Sequence, residues 1–560
     1  MHYLCKKLAV MNLKKFFWGG LLLLFAGCLM SANAQTQKPI EDLNHVTDLT
    51  LDSLDKVRSA RIKPGTSRQG NHPVLFMIGN STMRNGTLGN GNNGQWGWGY
   101  FAQNFFDPTQ ITVENQALGG TSSRTFYRNL WPEIREALKP GDWVIVSIGH
   151  NDNGPYDKGR ARASIPGTGQ DSMLVNVEMV NNGDTTYREE MIYTYGGYLR
   201  RYIADIRAKG AHPVLMSLTP KKYRTADGSR LRGDEHKFGH WAEEIAREQN
   251  VPFIDQNMIS TQKLESYSVW KCNYHFFTDN IHTSKFGAEL NARSAAESIA
   301  ACNHPDIQPL KAWLRNVELP RMNVNREEGK PVVWLTGDST VKNTDKEEDG
   351  MWGWGAVAYE AFEAKKITVA NAAMAGRSLR RYLNEGRWEQ VYNSLQKGDY
   401  VLIQFGHNDV GPIDSLKERG EIVGTADTCH VYRLKSNGKY EVVYSFGWYL
   451  RKMIDDTREK GATPIIVSLT PRNIWHNGKI ERRNDTYGKW YREVAEQTGV
   501  EIVDVHNITA DKYDKKGEKK VKAYFCNDHT HSSLAGAREN AKSVRTGLRK
   551  IKSPLAAYTR

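Results

Sequence analysis

Cysteine is scarce: there are six in 560 residues, and two of them, Cys5 and Cys28, lie in the first 34. The others, Cys272, Cys302, Cys429 and Cys526, are too few to staple a disulfide-built scaffold. They allow at most one bridge within each half of the chain, or four free thiols. No Cys-x-x-Cys or histidine-rich pairing suggests a metal site, so neither metal nor other cofactor is expected. Long apolar runs are also missing from the body of the chain. Nothing past residue 34 approaches the ~20 residues of a membrane span, which excludes an integral membrane protein. What is present is the make-up of a globular protein. Hydrophobic residues are 39% and charged residues 25%, enough apolar material for full cores, and wholesale disorder is excluded. At ~100–200 residues per domain, the length calls for more than one.

The first 34 residues stand apart. Lys14 and Lys15 precede the apolar stretch Phe16–Met30, and Ala32-Asn33-Ala34 offers a small-residue cleavage site before Gln35. This order is that of a secretory signal, so cleavage near Ala34 and a secreted, periplasmic or cell-surface protein are expected. A lipoprotein anchored at Cys28 is the weaker reading, because Phe25 suits that role poorly. The segment holds four lysines and no acid, so cleavage lowers the net charge from +13 to +9. A basic balance suits an acidic polymer through long-range attraction, or is simply a solvated surface. Nothing resembles a nucleic-acid-binding fold, and charge alone does not argue for one.

The rest of the chain repeats itself. VLFMIGNST at 74–82 returns as VVWLTGDST at 332–340, QWGWG at 95–99 as MWGWG at 351–355, and GHNDNGP at 149–155 as GHNDVGP at 406–412. SLTP occurs at 217–220 and again at 468–471. The offset drifts from 258 at Ser81 and Ser339 to 249 at His282 and His531, as loop insertions produce. A repeat of this length is a whole domain rather than a solenoid unit. The expected division is a signal over 1–34, an extension over 35–70, domains over 71–304 and 331–560, and a linker over 305–330. In each copy, short β-branched runs such as Val74–Ile78, Trp143–Ile148, Val332–Leu335 and Tyr400–Phe405 alternate with helical patterns such as Tyr198–Lys209 and Tyr449–Lys460. That alternation predicts a doubly wound parallel sheet with helices on both faces, whose ligands bind beyond the carboxyl ends of the strands. After each GHND motif, ~40 residues lack helical period and read as a β-hairpin excursion. The excursion either walls a cleft or is a surface flap.

The repeated motifs lie at those strand ends. Ser81 and Ser339 each follow the first strand. One such serine alone reads as a helix N-cap. Late in each copy, however, Asp279 precedes His282 by three residues, and Asp528 precedes His531 likewise. One turn can then present both side chains on one side, with Asp on one ring nitrogen and the other facing the serine. Gly120 and Gly376 follow the second strand, and Asn151 and Asn408 the third. A glycine N–H and an asparagine amide converging on the serine N–H would bind an oxyanion; otherwise they are ordinary turn residues. Asp152 and Asp409 are expected to brace the turn. Trp96, Trp98, Trp352 and Trp354 either stack on sugar rings or pack in the core, the second being favoured.

The order Gly-Asp-Ser, Gly, Gly-x-Asn-Asp, Asp-x-x-His resembles the SGNH, or GDSL-like, hydrolases. GDST, NAAMAGRS, FGHND, GTAD at 424–427, YSFGWYLRKMI, SLTPRNIW and DHTH in the second copy resemble the rhamnogalacturonan acetylesterase group, family 12 of the carbohydrate esterases. The resemblance implies two tandem flavodoxin-like α/β/α three-layer domains and a metal-free serine esterase acting on acetylated plant polysaccharide or oligosaccharide. It places the catalytic serine at Ser81 and Ser339, the triad partners at Asp279, His282, Asp528 and His531, and the oxyanion donors at Gly120, Asn151, Gly376 and Asn408. Trp98, Trp354 and Arg377 are candidate substrate contacts. The first copy departs at Asn80, where the second has Asp338, and at Thr121, where it has Arg377. Loss of that arginine bears on preference for an acidic sugar. The alternatives are a xylan or other polysaccharide acetylesterase, or a lipase or thioesterase with one copy non-catalytic and used for sugar binding.

Overall fold

The computed structural model describes residues 61–560 except 87, 92, 182–183, 223–233, 278, 317, 343–349 and 439, so the signal expected over 1–34 and most of the extension lie outside the described residues. In chain order the first half gives β1 (Val74–Gly79), β2 (Thr112–Asn115), β3 (Trp143–Ser147), the antiparallel pair β4 (Ser172–Asn181) and β5 (Asp184–Tyr193), then β6 (His212–Met216) and β7 (Phe253–Ile254). The second half repeats this with β8 (Val332–Gly337), β9 (Thr368–Asn371), β10 (Tyr400–Gln404), the pair β11 (Cys429–Arg433) and β12 (Tyr440–Tyr444), and β13 (Thr463–Val467). A small hairpin, β14 (Trp475–His476) with β15 (Lys479–Ile480), and β16 (Glu501–Val503) complete it.

Each half holds a five-stranded parallel sheet, ordered β2-β1-β3-β6-β7 and β9-β8-β10-β13-β16. The central strands are apolar without alternation because both faces are covered. Successive residues still point to opposite layers. Val74, Phe76 and Ile78 join one core cluster, and Leu75 and Met77 the other. Val332 and Trp334 split from Val333 and Leu335 in the same way. The strand order reverses between the first two strands and the third, which opens a crevice at their carboxyl ends. The crossover helices are capped where the sequence offers a hydroxyl: Thr194 caps Tyr195–Ala208, and Ser445 caps Phe446–Glu459.

The edges of the two halves differ from the expected boundaries. Ile307 and Leu310 are buried in the first core, and Asp107 N–H donates to the Trp313 carbonyl at 2.9 Å. Residues 305–315 therefore belong to the first fold, and the connection is shorter than 305–330. Upstream, Arg68 clasps Asp142 with two bonds of 2.7 and 2.6 Å, and Arg326 clasps Asp399 at 3.1 and 2.5 Å. The repeat therefore begins before residue 71. None of the four described cysteines is bridged.

The halves are joined by the helix Val269–Tyr274 of the first, packed on Phe446–Glu459 of the second. Tyr274 is buried within the second core, with its ring 4.9 Å from that of Trp448. Lys271 pairs with Asp456 at 3.2 Å and with Glu459, and Ser268 donates to Asp455 at 2.6 Å. A buried lysine left without its carboxylates would be costly, so these pairs fix the register of the interface.

Candidate active site

Ser81 leaves β1 in a tight turn whose shape is set by its neighbour. Asn80 Oδ1 accepts from Thr82 N–H at 3.2 Å and from the Thr82 hydroxyl at 3.1 Å. The second copy has the same turn, with Asp338 accepting from Thr340 at 2.9 and 2.8 Å. The serine is thereby held at the strand tip with its side chain at the crevice. It is not a helix cap.

The late turns meet these serines. His282 Nε2 lies 2.8 Å from Ser81 Oγ, and His531 Nε2 lies 2.9 Å from Ser339 Oγ. Each histidine's Nδ1 is 2.6 Å from its aspartate, Asp279 or Asp528. The other carboxylate oxygen accepts two backbone N–H groups, from Ile281 and His282 in one copy and from Thr530 and His531 in the other, at 2.7–2.8 Å. Burial raises both carboxyls, but the bonds from the histidine and the backbone outweigh it. Asp279 ends below its ordinary value and Asp528 falls to about 2. Both stay ionised and orient the ring. The motif histidines His150 and His407 are no rivals as bases. His407 is buried against Thr470 and His150 half-buried against Thr219, and desolvation holds both far below the ordinary imidazole value.

Gly120 and Gly376 adopt left-handed φ values of +78° and +75°, a conformation that disfavours side chains. The loop carrying Gly120 lies beside Ser81: a methyl group on Gly119 would sit 3.6 Å from Ser81 Cβ. Asn151 Nδ2 donates to the Thr121 carbonyl at 2.9 Å, and Asn408 Nδ2 to the Arg377 carbonyl at 3.3 Å. An amide nitrogen carries two N–H groups, and the loop takes one. Asp152 and Asp409 brace this loop from beneath, through the N–H of Ser123 and of Leu379.

Two arginines that the motif reading passed over also touch the loop. Arg162 donates to the Gly120 carbonyl at 3.1 Å, and Arg419 to Asn408 Oδ1 at 3.2 Å. The second bond fixes which end of the Asn408 amide is the donor. Their signal in the sequence was the offset of 257, which they share with Asn151 and Asn408.

The expected sugar contacts need correction. Trp98 and Trp354 are buried core residues, and the Trp354 ring nitrogen donates to Gln404 at 2.6 Å. Trp96 and Trp352 instead flank the site. Each donates its backbone N–H to the carbonyl of the residue after the triad histidine, Thr283 or Ser532, and its own carbonyl accepts from that residue's hydroxyl, at 2.7–3.0 Å. Arg377 pairs with Glu385 at 2.9 Å and donates to the Ala375 carbonyl, so an acidic sugar would have to displace that carboxylate. Among the described residues, no group of three or more His, Cys, Asp or Glu side chains is placed to hold a metal, and no helix is long and apolar enough to cross a membrane.

Several known proteins are similar to this chain. It is 34% identical over 207 residues to a rhamnogalacturonan acetylesterase of Emericella nidulans, covering 37% of this chain and 79% of that protein. It is 31% identical over 242 residues to the rhamnogalacturonan acetylesterase RhgT of Bacillus subtilis, covering 40% and 93%. An acetylxylan esterase structure from Geobacillus stearothermophilus aligns at 18% identity and a TM-score of 0.29, covering 42% of this chain and 96% of that one. A family model described as the GDSL-like lipase/acylhydrolase family matches residues 77–290 and again residues 335–539. Two triads of one geometry and two matches to one family agree: the chain belongs to the GDSL-like lipase/acylhydrolase family, in both of its halves.

Proposed function

We propose that this esterase removes O-acetyl groups from plant cell-wall polysaccharide, with pectic rhamnogalacturonan as the substrate class, at one site in each of its two halves. The supporting observation is the repeated hydrogen-bonded chain, serine to histidine to aspartate, at 2.8 and 2.6 Å in the first copy and 2.9 and 2.6 Å in the second. The similarity to two proteins named rhamnogalacturonan acetylesterases supplies the substrate class. The signal-like residues 1–34 favour action outside the cytoplasm.

The chemistry follows from the groups in contact. Ser81 Oγ attacks the acetyl carbonyl carbon while its proton passes to His282 Nε2; Asp279 stabilises the imidazolium. The carbonyl oxygen becomes an oxyanion bound by the N–H groups of Ser81 and Gly120 and the Asn151 amide, each such donor typically worth ~3–4 kcal/mol of barrier. The bond to the sugar oxygen then breaks, and that oxygen takes the proton from His282. Water attacks the acetyl-serine with His282 as base, releasing acetate and restoring the hydroxyl. Ser339, His531, Asp528, Gly376 and Asn408 take the same parts in the second copy.

Acetate release from acetylated rhamnogalacturonan, measured beside acetylated xylan, tests the substrate. Release from rhamnogalacturonan is expected to be the faster; equal or faster release from xylan would overturn the pectic assignment. A series of aryl esters of rising chain length is expected to peak at acetate, and a peak at long acyl chains would point to a lipase.

A further inference from the structure

We propose that the second copy supplies one wall of the first copy's cleft, and that Tyr440 helps determine which saccharide the Ser81 site accepts. The inference rests on the esterase reading above. The histidine side of the first site is built from two backbone segments. One holds the Asp279–His282 turn, where Phe277 N–H donates to the His282 carbonyl at 2.7 Å. The other is the loop that ends in Trp96, paired to Thr283 beside that histidine. Gly94, two residues before Trp96, presents bare backbone to both halves of the molecule. A methyl group there would lie 2.7 Å from the Phe277 ring and 3.5 Å from Tyr440 Cβ. Tyr440 begins β12, in the second copy. It therefore stands against the segments that hold the first copy's histidine.

The start of the other strand, where Cys429 pairs with Tyr444, lies within the influence of Lys222, which is bound to the histidine turn. Lys222 N–H donates to the Asn280 carbonyl at 2.8 Å, inside the Asp279–His282 turn. Burial raises the Asp427 carboxyl, just before β11, and the positive charges of Arg451 and Lys222 act against that rise. The hairpin is also anchored. Tyr444, at the far end of β12, stacks on Trp448 at 3.7 Å and 15°, and Trp448 packs on Tyr274 from the first copy. The buried Lys271–Asp456 pair lies in the same interface. A wall held this way is preorganised, and little ordering cost is paid when a ligand meets it.

The two hairpins have different duties at the first site. Its own, β4–β5, is tied to the oxyanion side through Arg124 and Glu190 at 2.9 Å, next to the helix that follows Gly120. The second copy's hairpin closes the histidine side. An acetylated sugar unit seated at Ser81 leaves its neighbouring units at that rim. A half-buried tyrosine offers them an apolar ring face and one hydroxyl, the pairing suited to a pyranose. A small aryl acetate has no unit to place there.

The test uses the full chain carrying Ser339→Ala, so that turnover reports the first site. Aryl-acetate turnover and acetate release from an acetylated oligosaccharide are confirmed first. Failure of the former overturns activity at the first site, and failure of the latter the polysaccharide reading; either removes this proposal with it. Tyr440→Ala is then expected to raise KM for the oligosaccharide about five-fold more than KM for the aryl acetate, and Tyr440→Phe to recover most of the difference. The same ratio, measured in a Ser81→Ala chain, is expected to move less. Should Tyr440→Ala fail to fold, Tyr440→Arg keeps the bulk of the side chain and is expected to shift the same ratio. Equal changes in both KM values, or an unmoved oligosaccharide KM, would overturn the proposal.

Discussion

Asn80 and Asp338 occupy the same turn, accept the same pair of bonds from the next threonine but one, and differ in charge. The triads they precede agree to within 0.1 Å in both side-chain contacts. The supports beneath the Gly120 and Gly376 loops have diverged further. In the first copy Asp152 is satisfied by two hydroxyls, Ser123 and Ser164. In the second, Leu379 and Glu421 stand in those places, and Glu421 lies against Asp409 as a buried pair of carboxyls. The serine, histidine and aspartate geometry is constant between the copies, while the neighbours that hold it have been exchanged: Asn80 for Asp338 at the turn, and Ser123 and Ser164 for Leu379 and Glu421 beneath the loop. Hydrogen-bond geometry, not local charge, is what the two sites have kept.

The largest expected effect treats the two sites alike. His282→Ala in a Ser339→Ala chain and His531→Ala in a Ser81→Ala chain should each lower kcat for an aryl acetate by roughly 10⁴-fold. A loss in one copy only would break the equivalence. Next comes the oxyanion amide: Asn151→Ala and Asn408→Ala, in the same backgrounds, should each cost about 10²–10³ in kcat with little change in KM. A smaller effect separates the copies by pH. Burial raises Asp409 to about 7 and Glu421 well above its ordinary value, whereas Asp152 rises to about 6. A carboxyl raised on folding binds more protons folded than unfolded, so stability falls as pH climbs from the unfolded value of ~4 through the folded one. Glu421→Ser should therefore reduce the loss of melting temperature between pH 5 and 8, read by calorimetry; an unchanged loss would sever the pair from the pH response. The smallest effect is expected from Asn80→Asp, which restores the charge but not a new bond. It should leave kcat at the first site within about two-fold, measured with Ser339→Ala.

Much of this was legible in the sequence because of the fold's own constraints. Strands buried on both faces, such as Val74–Gly79 and the Val401–Ile403 stretch of β10, read as apolar runs without alternation. The site residues lie at strand ends, where a duplicated chain repeats them in order. The tryptophans illustrate the limit. Spacing by two suggests a shared face, yet the backbone passes from a bridge at Trp96 into a 3-10 turn at Trp98, and their surroundings separate. Arg162 and Arg419 sit in excursions with no period to mark them. The first fold's tail, Ile307 and Leu310, is short and bounded by prolines, so it read as linker. Tyr440 against Gly94 is a contact between residues far apart in sequence, in different copies, and no local pattern announces it.

The claim that both copies carry a working nucleophile is tested most directly by covalent titration. An aryl phosphonate is attacked by an activated serine and not by an ordinary hydroxyl. Incubated to completion with the full chain and followed by intact mass and peptide mapping, it should add two equivalents, one on Ser81 and one on Ser339. One equivalent, on either serine alone, would contradict the account.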